Sequence, residues 1–347
     1  METPWPNLVV YAEPAGEVDP YDEANTSLFR GEEAFAPEVT GWRRWSKPSP
    51  EPRPDATFET LLLASVRCEK PAMLGMVETL ADGVASSVAS PPLLVAVLRA
   101  GVPVAALLSR ALSRRLEGAA VPVVALSLFD GLGWDGEALE QALEDHPGRP
   151  VVFVDGWTSG GGVAGELARS WKRWISAGNP DFTGGEGPRL AVLCDPRSLA
   201  HFSAVRADRF VPSSLFTAPE TLGFSRGFAA GPEGSGMFRV YRFPTSLLRP
   251  RYVEAWMSEE GNTKLEAPRD EAPSGSVPPP GWRLHVNEVV RALINRSPRE
   301  VLLREHEGAT ESLAAVLHLC RLRGVPVSYG RQEVAAWGAL AAARMGN

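Results

Sequence analysis

Between Val151 and Gly162 the chain sets an acid, two hydroxyls and three glycines directly after four apolar residues, Val151-Val152-Phe153-Val154-Asp155-Gly156-Trp157-Thr158-Ser159-Gly160-Gly161-Gly162. Consecutive glycines let a backbone approach a phosphate closely, and successive N–H groups followed by a helix start form an anion nest. Thr158 and Ser159 add hydroxyl donors, and Asp155 stands at a strand end, where a carboxylate can accept hydrogen bonds from sugar hydroxyls. A plain strand–turn–helix connection would also use glycine, for flexibility alone. A dinucleotide site fits less well, because its glycines directly follow the first strand and its acid comes about 20 residues later. Here the acid precedes the glycines.

The elements that would position this loop follow from periodicity. Apolar runs of buried-strand length lie at 93–98, 122–128, 151–154 and 190–194, with a further strand expected at 209–212. Helical stretches at 103–115, 137–145 and 163–176 separate them, and a helix over 57–87 with a break near Pro71 precedes them. Strands alternating with helices imply βαβ units and a parallel sheet that binds ligands at the C-terminal ends of its strands. Residues 1–56, rich in proline and acids, read as an irregular arm with Trp5, Tyr11, Trp42 and Trp45 as anchors. A body at 57–262 is followed by a Pro/Ser/Gly/charge-rich linker at 263–281 and a module at 282–347. That module reads as helices at 286–296, 310–323 and 332–344 and strands at 299–304 and 325–328.

Composition narrows the class. With 44% hydrophobic and 22% charged residues, the 347-residue chain has the make-up of a globular protein with a sizeable core. No run approaches the roughly 18 apolar residues of a membrane helix, so no membrane partner is expected. The start, Met1-Glu2-Thr3-Pro4-Trp5, lacks the order of a signal peptide, which points to the cytoplasm. Cys68, Cys194 and Cys320 are odd in number and far apart, against a disulfide framework or a zinc site. The five histidines (His146, His201, His285, His306, His318) show no metal spacing, and no metal ligands are assigned. From Trp282 onward there are nine Arg, no Lys and six Glu, a modest excess of positive charge on an otherwise acidic chain. Such a module invites RNA as a partner, although a solvated surface accounts for the charge equally well.

The order of apolar strand, Asp, Thr/Ser and Gly resembles the ribose-5-phosphate motif of type I phosphoribosyltransferases. Leu98-Arg99-Ala100-Gly101 resembles the loop with which such enzymes hold the pyrophosphate of phosphoribosyl pyrophosphate (PRPP). More narrowly, Phe153-Val154-Asp155-Gly156-Trp157-Thr158 is similar to the signature of a phosphoribosyltransferase-like family of bacterial tellurite-resistance and stress operons. Some of its members carry the label cysteine protease StiP. Val211-Pro212-Ser213-Ser214 and Gly223-Phe224-Ser225-Arg226 echo later segments of that family. Val301-Leu302-Leu303-Arg304 and Arg323-Gly324-Val325-Pro326-Val327 are similar to the pelota-type RNA-binding domain often fused to it.

The resemblance implies an α/β fold, a type I phosphoribosyltransferase-like parallel sheet flanked by helices, plus a small C-terminal pelota/ribosomal-L7Ae-like α/β domain. It implies transfer of ribose 5-phosphate to or from a nucleobase-like acceptor, with PRPP or a nucleotide as ligand and Mg2+ bound with PRPP. Asp155 and Arg99 would be the catalytic pair, and Ala100, Gly101, Thr158, Ser159, Gly160, Gly161 and Gly162 would hold the phosphates. Arg296, Arg299, Arg321 and Arg323 would be the RNA contacts, with homodimerisation a further option. The chain departs from the wider pattern at Gly156, where ordinary type I enzymes have a second acid, and at the loop Phe129-Asp130-Gly131-Leu132-Gly133, which lacks a cation. Gly160 stands where the family often has Lys, and Leu215 where members have Cys. The alternatives are a non-catalytic nucleotide sensor or an RNA-binding adaptor. A cysteine protease built on Cys68 or Cys194 with His146 or His201 ranks behind both, because neither cysteine sits in a Gly-Cys or Cys-Gly turn.

Overall fold

The computed structural model describes residues 1, 3–36, 38–229, 236–258, 270, 277–309 and 311–346. The chain opens with two short strands, β1 (Leu8–Val10) and β2 (Glu13–Glu17), before the long helix α1 (Ala56–Ala85). Next come β3 (Leu93–Val97), α2 (Gly101–Arg115), β4 (Val123–Leu126) and a hairpin of β5 (Leu128–Phe129) and β6 (Gly133–Trp134). They are followed by α3 (Gly136–Asp145), β7 (Val151–Val154), α4 (Gly162–Ser176), β8 (Arg189–Cys194) and β9 (Phe202–Val205). A short α5 (Ala218–Thr221), β10 (Arg239–Arg242) and α6 (Pro250–Met257) complete this part. The C-terminal part holds β11 (Trp282–Leu284), α7 (Val286–Asn295), β12 (Glu300–Leu303), α8 (Ala314–Leu322), β13 (Val327–Ser328), α9 (Gln332–Ala336) and β14 (Ala341–Arg344).

Six strands form one parallel sheet in the order β1-β4-β3-β7-β8-β9. Side chains alternate across a strand, so each strand divides its residues between two faces. Leu94, Ala96, Val123, Ala125, Val152, Val154, Ala191 and Leu193 join one core with residues of α1 and α2. Leu93, Val95, Val124, Leu126, Val151, Phe153, Leu190 and Val192 join the other with Ala138, Leu139, Leu167 and Trp174 of α3 and α4. Both faces are covered, which is why these strands read as unbroken apolar runs.

The structure differs from the sequence reading in several elements. The N-terminal segment is not wholly an irregular arm: β1 pairs with β4 at the edge of the main sheet, and β2 pairs with β10. Trp5 and Trp45 are buried as anchors, and Trp5 Nε1 donates to the Thr221 carbonyl at 2.8 Å. Helix α1 runs unbroken through Pro71, because buried side chains on both sides of the proline, Phe58, Leu62 and Val66 before it and Met73, Val77 and Leu80 after it, hold one axis. The segment 209–212 is not a strand. Its backbone bonds are taken by Asn287, whose Oδ1 accepts from Val211 N at 2.9 Å and whose Nδ2 donates to the Arg209 carbonyl at 2.8 Å. The sixth strand is β9 instead.

The expected helix at 332–344 stops at Ala336, and Gly338 (φ 68°) turns the chain into β14. That alanine-rich strand lies between β11 and β12 in a four-stranded sheet of order β11-β14-β12-β13. Helix propensity is a weak preference, and pairing on both sides overrides it. The expected linker at 263–281 lies mostly outside the described residues. Among those described, the C-terminal part shares a core with the main sheet, since Val286, Val289, Leu293 and Leu319 belong to the same buried cluster as Leu62 and Val66. Asp208 reinforces the junction by accepting the N–H groups of Val286 and Leu340 at 3.0 and 2.7 Å. Among the described residues, no helix is long and apolar enough to cross a membrane.

Candidate functional site

The two central strands, β3 and β7, pair from Leu93↔Val151 to Ala96↔Val154, so the loops that follow them leave one edge of the sheet side by side. The loops touch. A Cβ on Gly101 would lie 2.1 Å from the Val154 carbonyl oxygen, closer than real Cβ contacts allow, and one on Gly156 would lie 3.3 Å from that of Ala100. Glycine at 101 is therefore demanded by close approach of two backbones. The Leu98–Arg99 peptide is cis.

Asp155 is buried at the end of β7, and its Oδ1 accepts the N–H of Gly156 at 2.8 Å. Burial lifts its pKa to about 7, outweighing the opposite pull of Arg291 and of the Gly156 amide. Arg99, in the loop after β3, donates to the carboxylate of Glu51, a buried residue of the N-terminal segment. Burial and then the neighbouring Arg291 lower the Arg99 pKa to about 10, so it remains a cation at neutral pH.

Arg226 completes a positive cluster. Its guanidinium lies 4.9 Å from the ring centre of Trp45 and 5.3 Å from that of Phe129, two rings stacked 4.8 Å apart. Among the described residues no carboxylate pairs with it. Burial, followed by Arg291, Arg99 and Arg296, lowers its pKa to about 9. Arg291 reaches the cluster from α7 and is held by Glu288 at 3.1 Å. Glu288 also accepts from Trp157 Nε1 at 3.0 Å, which ties α7 to the 155–161 loop. Burial alone would raise the Glu288 carboxyl, but Arg291, Trp157 and Arg283 hold it below its ordinary range. Like charges repel, which is why Arg291 lowers the pKa of both Arg99 and Arg226.

These groups line two adjoining cavities of about 110 and 430 Å3 that share Leu128, Trp157, Val163, Arg226, Arg291 and Asn295. Arg99, Ala100 and Asp155 face the smaller one, and Thr158, Ser159, Gly160 and Gly162 face the larger. The nest expected at 158–162 is only partly open. The Thr158 N–H donates to the Cys194 carbonyl at 3.0 Å, while Gly161 (φ 78°) starts α4 with no side-chain cap. The hydroxyls of Ser213 and Ser214, on the smaller cavity, are buried with no hydrogen-bond partner among the described residues. Magnesium, expected from the resemblance, would find Asp155 as a carboxylate half protonated near pH 7. No group of three His, Cys, Asp or Glu among the described residues could hold a metal ion.

Asp155, Arg99 and the two loops that hold them meet at one edge of the sheet, as expected from the sequence. Glu51, Arg291 and Asn295 carry no local signal. Arg226 and the two serines stood in quoted motifs without a role. The four arginines expected to meet RNA divide: Arg296 lines the larger cavity, Arg323 donates to the Ile294 carbonyl at 2.9 Å, and Arg299 and Arg321 are exposed.

The thiols are dispersed. Cys194 is buried at the end of β8, where burial pushes its thiol well up and Sγ donates to the Arg209 carbonyl at 3.7 Å. His201 Nδ1 accepts instead from Leu190 N, at the start of that strand, at 3.2 Å. Cys68 is exposed on α1, and Cys320 is buried with its thiol raised to about 12. Among the described residues no hydrogen bond joins a cysteine to a histidine.

A family model described as tellurite-like stress resistance cysteine protease StiP matches residues 40–230. The chain belongs to the StiP family. The cysteine protease StiP of Acinetobacter baylyi (strain ATCC 33305 / BD413 / ADP1) is 32% identical to it over 155 residues, 45% of this chain and 38% of that protein. The match thus spans well under half of the relative's length. A hypothetical protein from Neisseria gonorrhoeae, solved with bound ppGpp, is 17% identical over 38% of this chain and 76% of that one, with a TM-score of 0.26. A likeness that slight carries no argument. The StiP assignment corrects the function expected from the loops. Transfer of ribose 5-phosphate is overturned, because the family and the curated relative both bear the name of a cysteine protease, the activity that the sequence reading ranked last.

Proposed function

We propose that this StiP-family chain binds a small oxyanionic ligand in the paired cavities at the C-terminal edge of its parallel sheet, as part of tellurite-like stress resistance. The observation that carries this is Arg226. It is packed against two rings, unmatched by a carboxylate among the described residues, and set beside Arg99, Arg291 and Arg296. An anion there would relieve repulsion within the cluster and meet the unpartnered hydroxyls of Ser213 and Ser214. Ala100 would contribute backbone at the inner cavity, and Thr158, Ser159, Gly160 and Gly162 the rim of the outer one. Calorimetric titration with sulfate, phosphate, pyrophosphate and tellurite tests the proposal. Binding of at least one of these, lost by about tenfold or more in Arg226→Ala, is the expected result. Absence of binding for all four overturns it.

The family's name supports a second reading, a thiol-dependent hydrolase. Cys68 is the thiol that solvent reaches, and its raised pKa, from partial burial and then Glu69 and Glu311, makes it a weak nucleophile as it stands. Hydrolysis of an unfolded protein substrate that disappears in Cys68→Ser or Cys194→Ser supports this reading. Hydrolysis unaffected by both substitutions rules these thiols out. The type I phosphoribosyltransferase-like form of the sheet and the pelota-like form of the C-terminal part are retained as proposals of architecture, without the transfer activity.

A further inference from the structure

Three buried polar atoms around the smaller cavity have no hydrogen-bond partner among the described residues: Ser213 Oγ, Ser214 Oγ and Asn295 Oδ1. The two serines are 5% and 6% exposed, and they sit on a short 3-10 turn, Pro212–Leu215, that packs against α7. Asn295 is the last residue of α7, at the junction of the two cavities. Its Nδ2 donates to the Arg291 carbonyl at 3.0 Å, and because a carbonyl can only accept, that bond fixes which way the amide faces. Oδ1 is thus left as a bare acceptor beside a cation cluster. Native proteins rarely leave such atoms unmet, and three around one cavity mark a surface that awaits polar groups.

A fully ionised oxyanion alone cannot satisfy all three. It is an acceptor, so it can take protons from the serine hydroxyls and the guanidiniums, but it offers nothing to Asn295 Oδ1. We infer that the ligand joins its anionic group to a hydrogen-bond donor, a hydroxyl or an amine, and that Asn295 of the C-terminal part reads that donor. This rests on the oxyanion reading above and narrows it. The C-terminal part then determines specificity at a site whose anion-holding loops belong to the main sheet. Hydroxyl groups on Ser213 and Ser214 can donate to the anion or accept from the same ligand donor, so they suit either side of that junction.

The test compares glycerol 3-phosphate with propyl phosphate, which has the same carbon count and no hydroxyls, by calorimetry on the full chain. The wild type is expected to prefer glycerol 3-phosphate by about tenfold, the value of one well-made hydrogen bond. In Asn295→Ala that preference is expected to shrink to about twofold or less. Equal affinities in the wild type overturn the inference while leaving the oxyanion reading intact. So does a full preference retained in Asn295→Ala. If inorganic phosphate, titrated in parallel, and both esters fail to bind, the oxyanion reading falls and takes this inference with it. The wild-type comparison decides without any variant, and Ser214→Ala, expected to weaken the preference as well, supplies a second substitution should Asn295→Ala not fold.

Discussion

Glu51 of the proline-rich N-terminal segment puts its carboxylate against the guanidinium of Arg99, a residue of the loop after β3, and does so where its own side chain is 1% exposed. A segment with little regular structure thereby fixes the orientation of a cation in the candidate site. Removing one member of a buried pair leaves the other uncompensated, at a cost of about 3 kcal/mol. Glu51→Gln is expected to lower the melting temperature by roughly 5 °C. Sulfate should restore part of the loss, since an anion replaces the missing charge. An unchanged melting temperature would show that the pair does not hold the site.

Asp155 gives the site a pH dependence. The folded chain keeps the Asp155 proton up to about pH 7, against an ordinary value of 3.8, because the carboxyl is buried. The unfolded chain releases that proton near the ordinary value, so the contribution of Asp155 to stability falls as pH rises across that interval. Above pH 7 the ionised carboxylate also repels an anion. Sulfate, which does not itself titrate here, is expected to bind more weakly at pH 8 than at pH 6, on the order of tenfold. Asp155→Asn should flatten the profile, and a wild-type profile already flat between those two values would contradict the account.

The contact between the two loops is testable through glycine. Gly101→Ala drives a Cβ to within 2.1 Å of the Val154 carbonyl oxygen, and backbone must move to make room. A loss of about 1–3 kcal/mol in denaturant unfolding is expected. Gly162→Ala meets nothing within 4 Å and serves as the control, with stability unchanged or slightly raised. Equal effects at the two positions would mean that the loops are not packed as described.

Asp208 joins the two parts of the chain. Its carboxylate accepts the backbone N–H groups of Val286 and Leu340, and Asp208→Ala leaves two buried donors without partners. The expected loss is about 2–3 kcal/mol, with hydrogen exchange accelerated at the Val286 and Leu340 amides specifically. Exchange that rises evenly over the whole chain would indicate general destabilisation instead of a loosened junction.

Much of the sheet was legible beforehand, because the apolar runs of β3, β4, β7 and β8 and the glycines after β7 are local patterns. Local pattern is enough to put Arg99, Asp155 and a run of small residues in the loops after β3 and β7. Local rules failed where pairing partners decide. The alanines of β14 favour a helix until β11 and β12 flank them, and the backbone at 209–211 stays out of the sheet because an asparagine from α7 takes its bonds. Which residues face the site is settled only by the fold: Glu51, Arg226, and the α7 pair Arg291 and Asn295 come from three segments separated by up to 244 residues. Coulomb energy and hydrogen bonding depend on separation in space, so neither the charge excess around Arg226 nor the unmet acceptor at Asn295 exists as a pattern in the sequence.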